Sequence, residues 1–259
     1  MRSHVPDGTV GIIHAAGMGK RLRPLTEKVP KALIEVGGHP LVDYAIALLR
    51  KLGINKIVLV AGHFHSQVKA YAEVRYPDVI IIENIEYQKD SLSTLSLALK
   101  KVATGEGLFQ MDIDFIYPAG FERQLIPLFA GEEIHVACTS SPPPGDMVKV
   151  LVDSSGTVTD MRKDIDLAEN VYGYIGMFYC PAARVPGLIK FVGRILASGN
   201  GLQAKVWSML AQFAKSESGA VRMADVGKFP CIEIDTLEDK EAAERYLADH
   251  TEIIKNYFE

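Results

Sequence analysis

Cysteine is scarce in this chain of 259 residues: Cys138, Cys180 and Cys231 stand far apart, with no C-x-x-C spacing. An odd, scattered set argues against a disulfide framework or a structural zinc site and suits a reducing compartment. Long apolar runs are missing as well. No segment reaches the ~18 apolar residues of a spanning helix, and the opening MRSHVPDGT has no secretory h-region, so a cytoplasmic protein without membrane insertion is expected. Nor is there a surplus of basic charge: 28 Lys and Arg against 32 Asp and Glu give a net charge of −4. That removes the broad positive field by which proteins meet nucleic acid and leaves phosphate recognition to a local cluster. The histidines fall in no H-E-x-x-H pattern and no G-x-S-x-G appears, so neither a metalloprotease helix nor a nucleophile elbow is indicated.

What is present is a regular rhythm. Apolar runs at 10–13, 57–60, 79–82, 108–111 and 134–139 read as buried strands, and 41–52, 65–75, 92–102 and 120–129 as the helices between them. Strands alternating with helices of about ten residues mean βαβ units and a mainly parallel sheet covered on both faces. Right-handed crossovers then gather the loops after these strands along one sheet edge, where such folds bind ligands. Past Pro142–Gly145 the rhythm changes. Segments 147–152 and 157–161 flank Asp153-Ser154-Ser155-Gly156 as a hairpin, and 171–179 is a further strand. Helices at 185–196 and 202–213 join at Gly199-Asn200-Gly201, and short strands return at 221–226 and 231–234. Thr236-Leu-Glu-Asp239 opens a last long helix as a capping box. With no repeat or linker in sight, residues 1–259 are expected to form one domain, with halves at 10–140 and 141–259.

The stretch His14–Leu33, HAAGMGKRLRPLTEKVPKAL, follows the first strand. It fails the Walker A pattern, because Arg21 follows Gly19-Lys20, and it fails G-x-G-x-x-G, because Leu22 holds the third glycine position. A glycine-rich turn after a strand still suits phosphate, and Lys20, Arg21, Arg23, Lys28 and Lys31 crowd into it. Pro24 and Pro30 stiffen the span that holds them. A solvated basic loop is the plain alternative. Opposite signs recur elsewhere. Asp112-Ile-Asp114 ends a strand, and Glu233-Ile-Asp235 alternates with isoleucine near the other end, so each pair can point one way. Such carboxylates suit Mg²⁺. Alternatively, the first pair are solvated turn residues and Asp235 serves the helix entry at Thr236. A cationic phosphate loop facing carboxylates that hold Mg²⁺ is what phosphoryl or nucleotidyl transfer requires.

Ala15-Ala16-Gly17-Met18-Gly19-Lys20-Arg21-Leu22, followed by Pro24-Leu25-Thr26, Pro30-Lys31-Ala32-Leu33 and Val36-Gly-Gly-His-Pro-Leu41, resembles the signature of the nucleotidyltransferases that make activated sugars and activated alcohol phosphates. The resemblance implies a Rossmann-like three-layer α/β/α fold with a mainly parallel sheet and a mixed, β-rich C-terminal portion. By it, Gly17, Gly19 and Arg21 hold the triphosphate and Lys31 reaches the α-phosphate. Ala15, Ala16, Met18, Lys20, Gly62 and Ser91 complete the nucleotide contacts. Asp114 binds Mg²⁺, Glu233 and Asp235 complete the metal site, and Asp112 stands beside them. Lys163 looks like the family lysine on the acceptor's phosphate, with Arg162 and Lys149 as alternatives. Glu233 and Tyr174 also face the acceptor.

The segment from Asn84 to Leu97 resembles that of small cytidylyltransferases acting on phosphocholine, inositol phosphate or related phospho-alcohols, except that Asp90-Ser91 replaces the commoner asparagine. Asp90 either binds acceptor hydroxyls or an amine, or caps the following helix. The expected activity is Mg²⁺-dependent transfer of CMP from CTP to a phosphorylated small alcohol, with catalytic roles for Arg21, Lys31, Asp114 and Lys163. A sugar-1-phosphate nucleotidyltransferase using UTP, dTTP or CTP is the rival, and a nucleotide-binding regulator the third reading. A homodimer fits an enzyme of this size, although no seam is visible.

Overall fold

A computed structural model describes residues 5–141, 143, 146–198, 204–216, 221–229 and 232–259. In chain order the first half lays down β1 (Val10–Ala15), β2 (Glu35–Val36), β3 (His39–Pro40), α1 (Leu41–Lys51), β4 (Lys56–Ala61), α2 (His65–Arg75), β5 (Ile80–Glu83), α3 (Ser91–Leu99), β6 (Leu108–Asp112) and β7 (Phe115–Ile116). The second half adds β8 (Ile134–Thr139), β9 (Lys149–Val152), β10 (Val158–Arg162), β11 (Val171–Cys180), α4 (Val185–Ala197), α5 (Val206–Ser216), β12 (Val221–Asp225), β13 (Ile232–Glu233), α6 (Leu237–Asp249) and α7 (Thr251–Phe258).

The first half's strands run parallel in the order β5-β4-β1-β6, so each needs a crossover, and the helices supply it. β11 then lies antiparallel against β6, β8 and β9; β10 extends the β9 side, and β12 runs parallel to β8. The strand period of two divides the core. From β1 and β4, Ile13, Ala15, Ile57, Leu59 and Ala61 join α1, α2, α6 and α7 on one face. Val10, Ile12, Val58 and Val60 join α3, α4 and α5 on the other. Strands buried on both faces read as unbroken apolar runs, which is why they stood out.

Several expectations shift in detail. Residues 120–129 form two 3₁₀ turns, Phe121–Arg123 and Ile126–Phe129, because Pro127 interrupts the amide ladder a longer helix needs. The later helix is Val206–Ser216 rather than 202–213, and the joint at Gly199–Gly201 lies outside the described residues, as do Pro142, Pro144, Gly145 and Cys231. The hairpin at Asp153 is real: its Oδ1 accepts from the backbone N–H of Ser155 at 2.8 Å and of Thr157 at 3.0 Å. Among the described residues no helix is long and apolar enough to cross a membrane.

Candidate active site

The C-terminal ends of β1 and β6 open into a cleft of about 620 Å³, walled by the loop after β1, the segment before α3, and Asp235. The loop keeps its shape through bonds within itself and one to α2. Three 3₁₀ turns, Lys20–Leu22, Leu25–Glu27 and Lys31–Leu33, carry it around. The Thr26 hydroxyl donates to Gly19 O at 2.8 Å, and Gln67 Nε2 donates to Lys28 O at 3.0 Å. Gly19 has φ +57°, and a Cβ there would lie 2.9 Å from Thr26 Cγ2, so both conformation and space demand glycine. Gly62 is required for a different reason. Its missing Cβ would fall 2.2 Å from Tyr87 Cβ, so the glycine lets Tyr87 lie on the strand end as part of the cleft wall.

This geometry sorts the five loop cations. Lys20, Arg21 and Lys31 line the cleft, and Arg23 and Lys28 are not among its lining residues. Lys31 is almost fully buried and donates to Asp114 Oδ2 at 2.9 Å and Asp235 Oδ1 at 2.6 Å. Arg21 hydrogen-bonds the other oxygen of Asp235 and lies 3.6 Å from Asp146. Burial alone would lower the Lys31 pKa, but Asp114 and Asp235 outweigh it and hold the ammonium charged. Burial would raise Asp235, and Lys31 and Arg21 together hold it below the usual carboxylate range.

Asp114, Glu233 and Asp235 offer carboxylate oxygens that all lie within 4.8 Å of one another. β13 pairs with β7 through Glu233 and Phe115, and the amide of Ile234 donates to Asp114 O at 2.7 Å, which brings the two acidic segments together. Helix entry does not use Asp235. Thr236 is the N-cap, and Asp239 completes the box by accepting from the Thr236 amide at 2.7 Å, with the Asp235 amide bonded to the same carboxylate at 3.1 Å. Asp235 is thus aimed by α6 and left free for the site. Glu233 is pushed up to about 8 by burial and by the neighbouring Asp114 and Asp235. Asp114 Oδ1 is buried without a hydrogen-bond partner among the described residues. Three hard oxygen donors, one of them unpartnered, fit Mg²⁺.

Asp112 departs from the expected metal set. It is not among the three carboxylates that converge. It turns instead to Gln110, whose Nε2 donates to it at 2.9 Å, because residues 112 and 114 straddle the strand end rather than continuing one extended face. Desolvation, then Asp114, pushes it up to about 8.

The acceptor candidates also separate. Asp90 and Ser91 line the cleft, and Asp90, although N-terminal to α3, makes no side-chain cap. The Ser91 hydroxyl accepts from the Val206 amide at 3.0 Å. Lys149 is buried and donates to Lys163 O at 2.5 Å. Arg162 pairs with Asp160 and Asp164, and Tyr174 is buried on β11, opposite Cys138 of β8. None of Lys149, Arg162, Lys163 and Tyr174 is among the cleft-lining residues, and Ala15 ends β1 just behind Ala16. Sequence reasoning gave no role to His14 and Lys205, which line the cleft; Tyr87, Lys89 and Thr94, which also line it, lie in the segment read as cytidylyltransferase-like without roles of their own. Only His14 carried a signal, as a polar residue in an apolar strand.

Comparison with known proteins gives the family and the fold. Residues 11–165 match the family model described as the MobA-like NTP transferase domain. A 2-aminoethylphosphonate cytidylyltransferase from Lancefieldella rimae is 30% identical over 185 residues, covering 71% of this chain and 72% of the relative. The structure of the inositol-1-phosphate CTP transferase from T. maritima superposes with TM-score 0.74 at 21% identity, covering 93% of this chain and 97% of the other. That of CTP:phosphocholine cytidylyltransferase from Streptococcus pneumoniae gives 0.73 at 23% identity, covering 92% and 99%. Two sugar-phosphate nucleotidyltransferases align in sequence over less than half of this chain, and the structure of a putative glucose-1-phosphate thymidylyltransferase from Bacillus anthracis superposes with TM-score 0.75 at 17% identity, covering 93% of this chain and 96% of the other.

Proposed function

Because the chain belongs to the MobA-like NTP transferase family and is a nucleotidyltransferase of the cytidylyltransferase type acting on phosphorylated substrates, we propose that it transfers CMP from CTP, with Mg²⁺, to a small acceptor bearing a phosphate or phosphonate. The observation that carries this reading is Lys31 held between Asp114 and Asp235, beside Gly19 of the glycine loop that brings Lys20 and Arg21 to the same cleft.

Backbone amides around Gly17–Gly19, with Lys20 and Arg21, take the β- and γ-phosphates. Lys31 offsets charge that builds on the α-phosphate. An acceptor oxygen attacks the α-phosphorus as its bond to pyrophosphate breaks, so no protein nucleophile is needed. Asp114, Glu233 and Asp235 would hold Mg²⁺, which supplies charge neutralisation at the α-phosphate. Lys163, whose carbonyl oxygen accepts from Lys149, does not line the cleft and has no contact assigned in this scheme.

A panel of CTP, UTP, GTP and ATP against phosphorylated alcohols and phosphonates, read by pyrophosphate release, tests the reading. CTP-dependent release that disappears in Asp114→Asn is expected; full turnover by that variant would sink the metal assignment. A sugar-1-phosphate acceptor is the second reading. Asp90 supports it, since an uncapped carboxylate at the cleft can accept from sugar hydroxyls. It predicts turnover of glucose-1-phosphate.

A further inference from the structure

Five cations line the cleft among the described residues: Lys20, Arg21, Lys31, Lys89 and Lys205. Lys20 and Arg21 belong to the glycine loop, Lys31 is held by Asp114 and Asp235, and Lys89 bonds Glu86. Lys205 has no role in that scheme. It is exposed, and among the described residues its ammonium meets no carboxylate and makes no hydrogen bond. Asp90 lines the same cleft, yet no ion pair joins the two, so the charge of Lys205 stays open to a substrate. The backbone beneath it is fixed. The Leu92 amide donates to Ala204 O at 3.1 Å and the Val206 amide to Ser91 Oγ at 3.0 Å, which ties both flanks of Lys205 to the start of α3. Ser208 Oγ accepts from the Lys205 amide at 3.2 Å and donates to Lys205 O at 2.8 Å. A charge mounted on an ordered backbone loses less freedom on meeting its ligand than one on a loose segment.

The place of Lys205 in the fold decides what that ligand is. Leu22 of the glycine loop lies in the core on one face of the sheet, with Ala32, Ile113 and Ile234, the neighbours of Lys31, Asp114 and Asp235. Val206, next to Lys205, lies with Leu92 in the core on the other face. Lys205 therefore enters the cleft from the layer opposite the glycine loop and the carboxylate trio. In-line transfer sets the attacking and leaving oxygens on opposite sides of the reacting phosphorus. With pyrophosphate leaving on the glycine loop, the acceptor approaches from the opposing side. CTP offers no anion there, because its triphosphate lies with Lys20 and Arg21 and cytosine is uncharged. The anion that Lys205 meets belongs to the acceptor, which must be drawn in against the charge of the triphosphate.

We propose that Lys205 is the acceptor-binding cation of the cleft, forming an ion pair with an anionic oxygen group of the acceptor: the attacking phosphate or phosphonate, or a carboxylate further along the molecule. This rests on the cytidylyltransferase reading and assigns a residue to its acceptor side.

Pyrophosphate release is measured with CTP and Mg²⁺, using propyl phosphate and 3-carboxypropyl phosphate, in wild type, Lys205→Met and Lys205→Arg at low and raised salt. Lys205→Met should raise an acceptor KM by about tenfold, the value of one hydrogen bond to a charged group, and leave kcat and the KM for CTP unchanged. Lys205→Arg should recover most of that rise, and added salt should raise the acceptor KM of wild type more than that of Lys205→Met. An equal rise for both acceptors supports a contact to the phosphate, and a rise confined to the carboxylated one supports a contact to the second anion. An unchanged Tm is expected in both variants, as for an exposed side chain without partners. An unaltered acceptor KM, a rise confined to CTP, or a fall in Tm that Lys205→Arg shares overturns this assignment alone. Absence of CTP-dependent release with every acceptor, those of the preceding panel included, overturns the cytidylyltransferase reading and this assignment with it.

Discussion

Replacing Lys31 by methionine keeps the length and most of the apolar stem of the side chain while deleting its charge. In the folded protein that charge sits 2.9 Å from Asp114 and 2.6 Å from Asp235, with its side chain 7% exposed. Without it, three carboxylates within 4.8 Å of one another keep Arg21 as their nearest cation, and Arg21 is 56% exposed and weakened by solvent. Breaking a buried pair by removing one partner costs about 3–5 kcal/mol. Because Asp114 and Asp235 retain 23% and 19% exposure, the lower end applies, about 3 kcal/mol. For a chain of this size that is a fall in Tm of roughly 6–12 °C. The loss should be larger at pH 8 than at pH 5, because Glu233, pushed up to about 8, takes up a proton as pH falls and relieves the repulsion, and millimolar Mg²⁺ should recover part of it. Thermal melts followed by circular dichroism at both pH values, with and without Mg²⁺, measure this. A Tm equal to wild type at pH 8, or a loss that Mg²⁺ leaves untouched, would refute the reasoning.

Two further outcomes follow from the same site. Glu233 has an unfolded value of 4.5 and is pushed up to about 8 when folded, so between those values the native state binds more protons than the unfolded one. Its contribution to stability is therefore greatest at low pH and is lost as pH rises toward 8; urea melts of Glu233→Gln in the metal-free protein should show a flatter pH dependence than wild type. Gly19→Ala places a Cβ 2.9 Å from Thr26 Cγ2 and 3.2 Å from Lys31 Cβ in a backbone conformation with φ +57°. It should cost about 1–3 kcal/mol in a denaturant melt and weaken CTP binding in calorimetry, whereas wild-type values in both would remove the steric argument.

The sheet was legible because burial on both faces writes strands as plain apolar runs, as at residues 10–13 and 57–60. The phosphate loop was legible because its glycines and cations are local in the chain. What could not be read is direction. Five cations within twelve residues gave no sign that Lys31 turns inward while Arg23 and Lys28 are absent from the cleft lining, since successive 3₁₀ turns decide that. Asp112 and Asp114 look like one pair in sequence, yet their carboxylates serve different neighbours. Asp90 has the residue type and position of a helix cap and does not act as one. His14 is one polar letter in an apolar strand, and only the pairing of β1 with β6 sets it opposite Asp112.

The bond from Lys31 to Asp235 spans 204 positions. On a ribosome, Lys31 and Asp114 emerge first and can meet, but their third companion is made 121 positions after Asp114. Until then the ammonium has a single carboxylate, and the strand that carries Glu233 has nothing to offer β7. A nascent chain can therefore assemble much of its parallel sheet, glycine loop included, well before it owns a complete centre. Ligand-induced protection of that loop in arrested chains should switch on abruptly as residues 232–239 leave the exit tunnel.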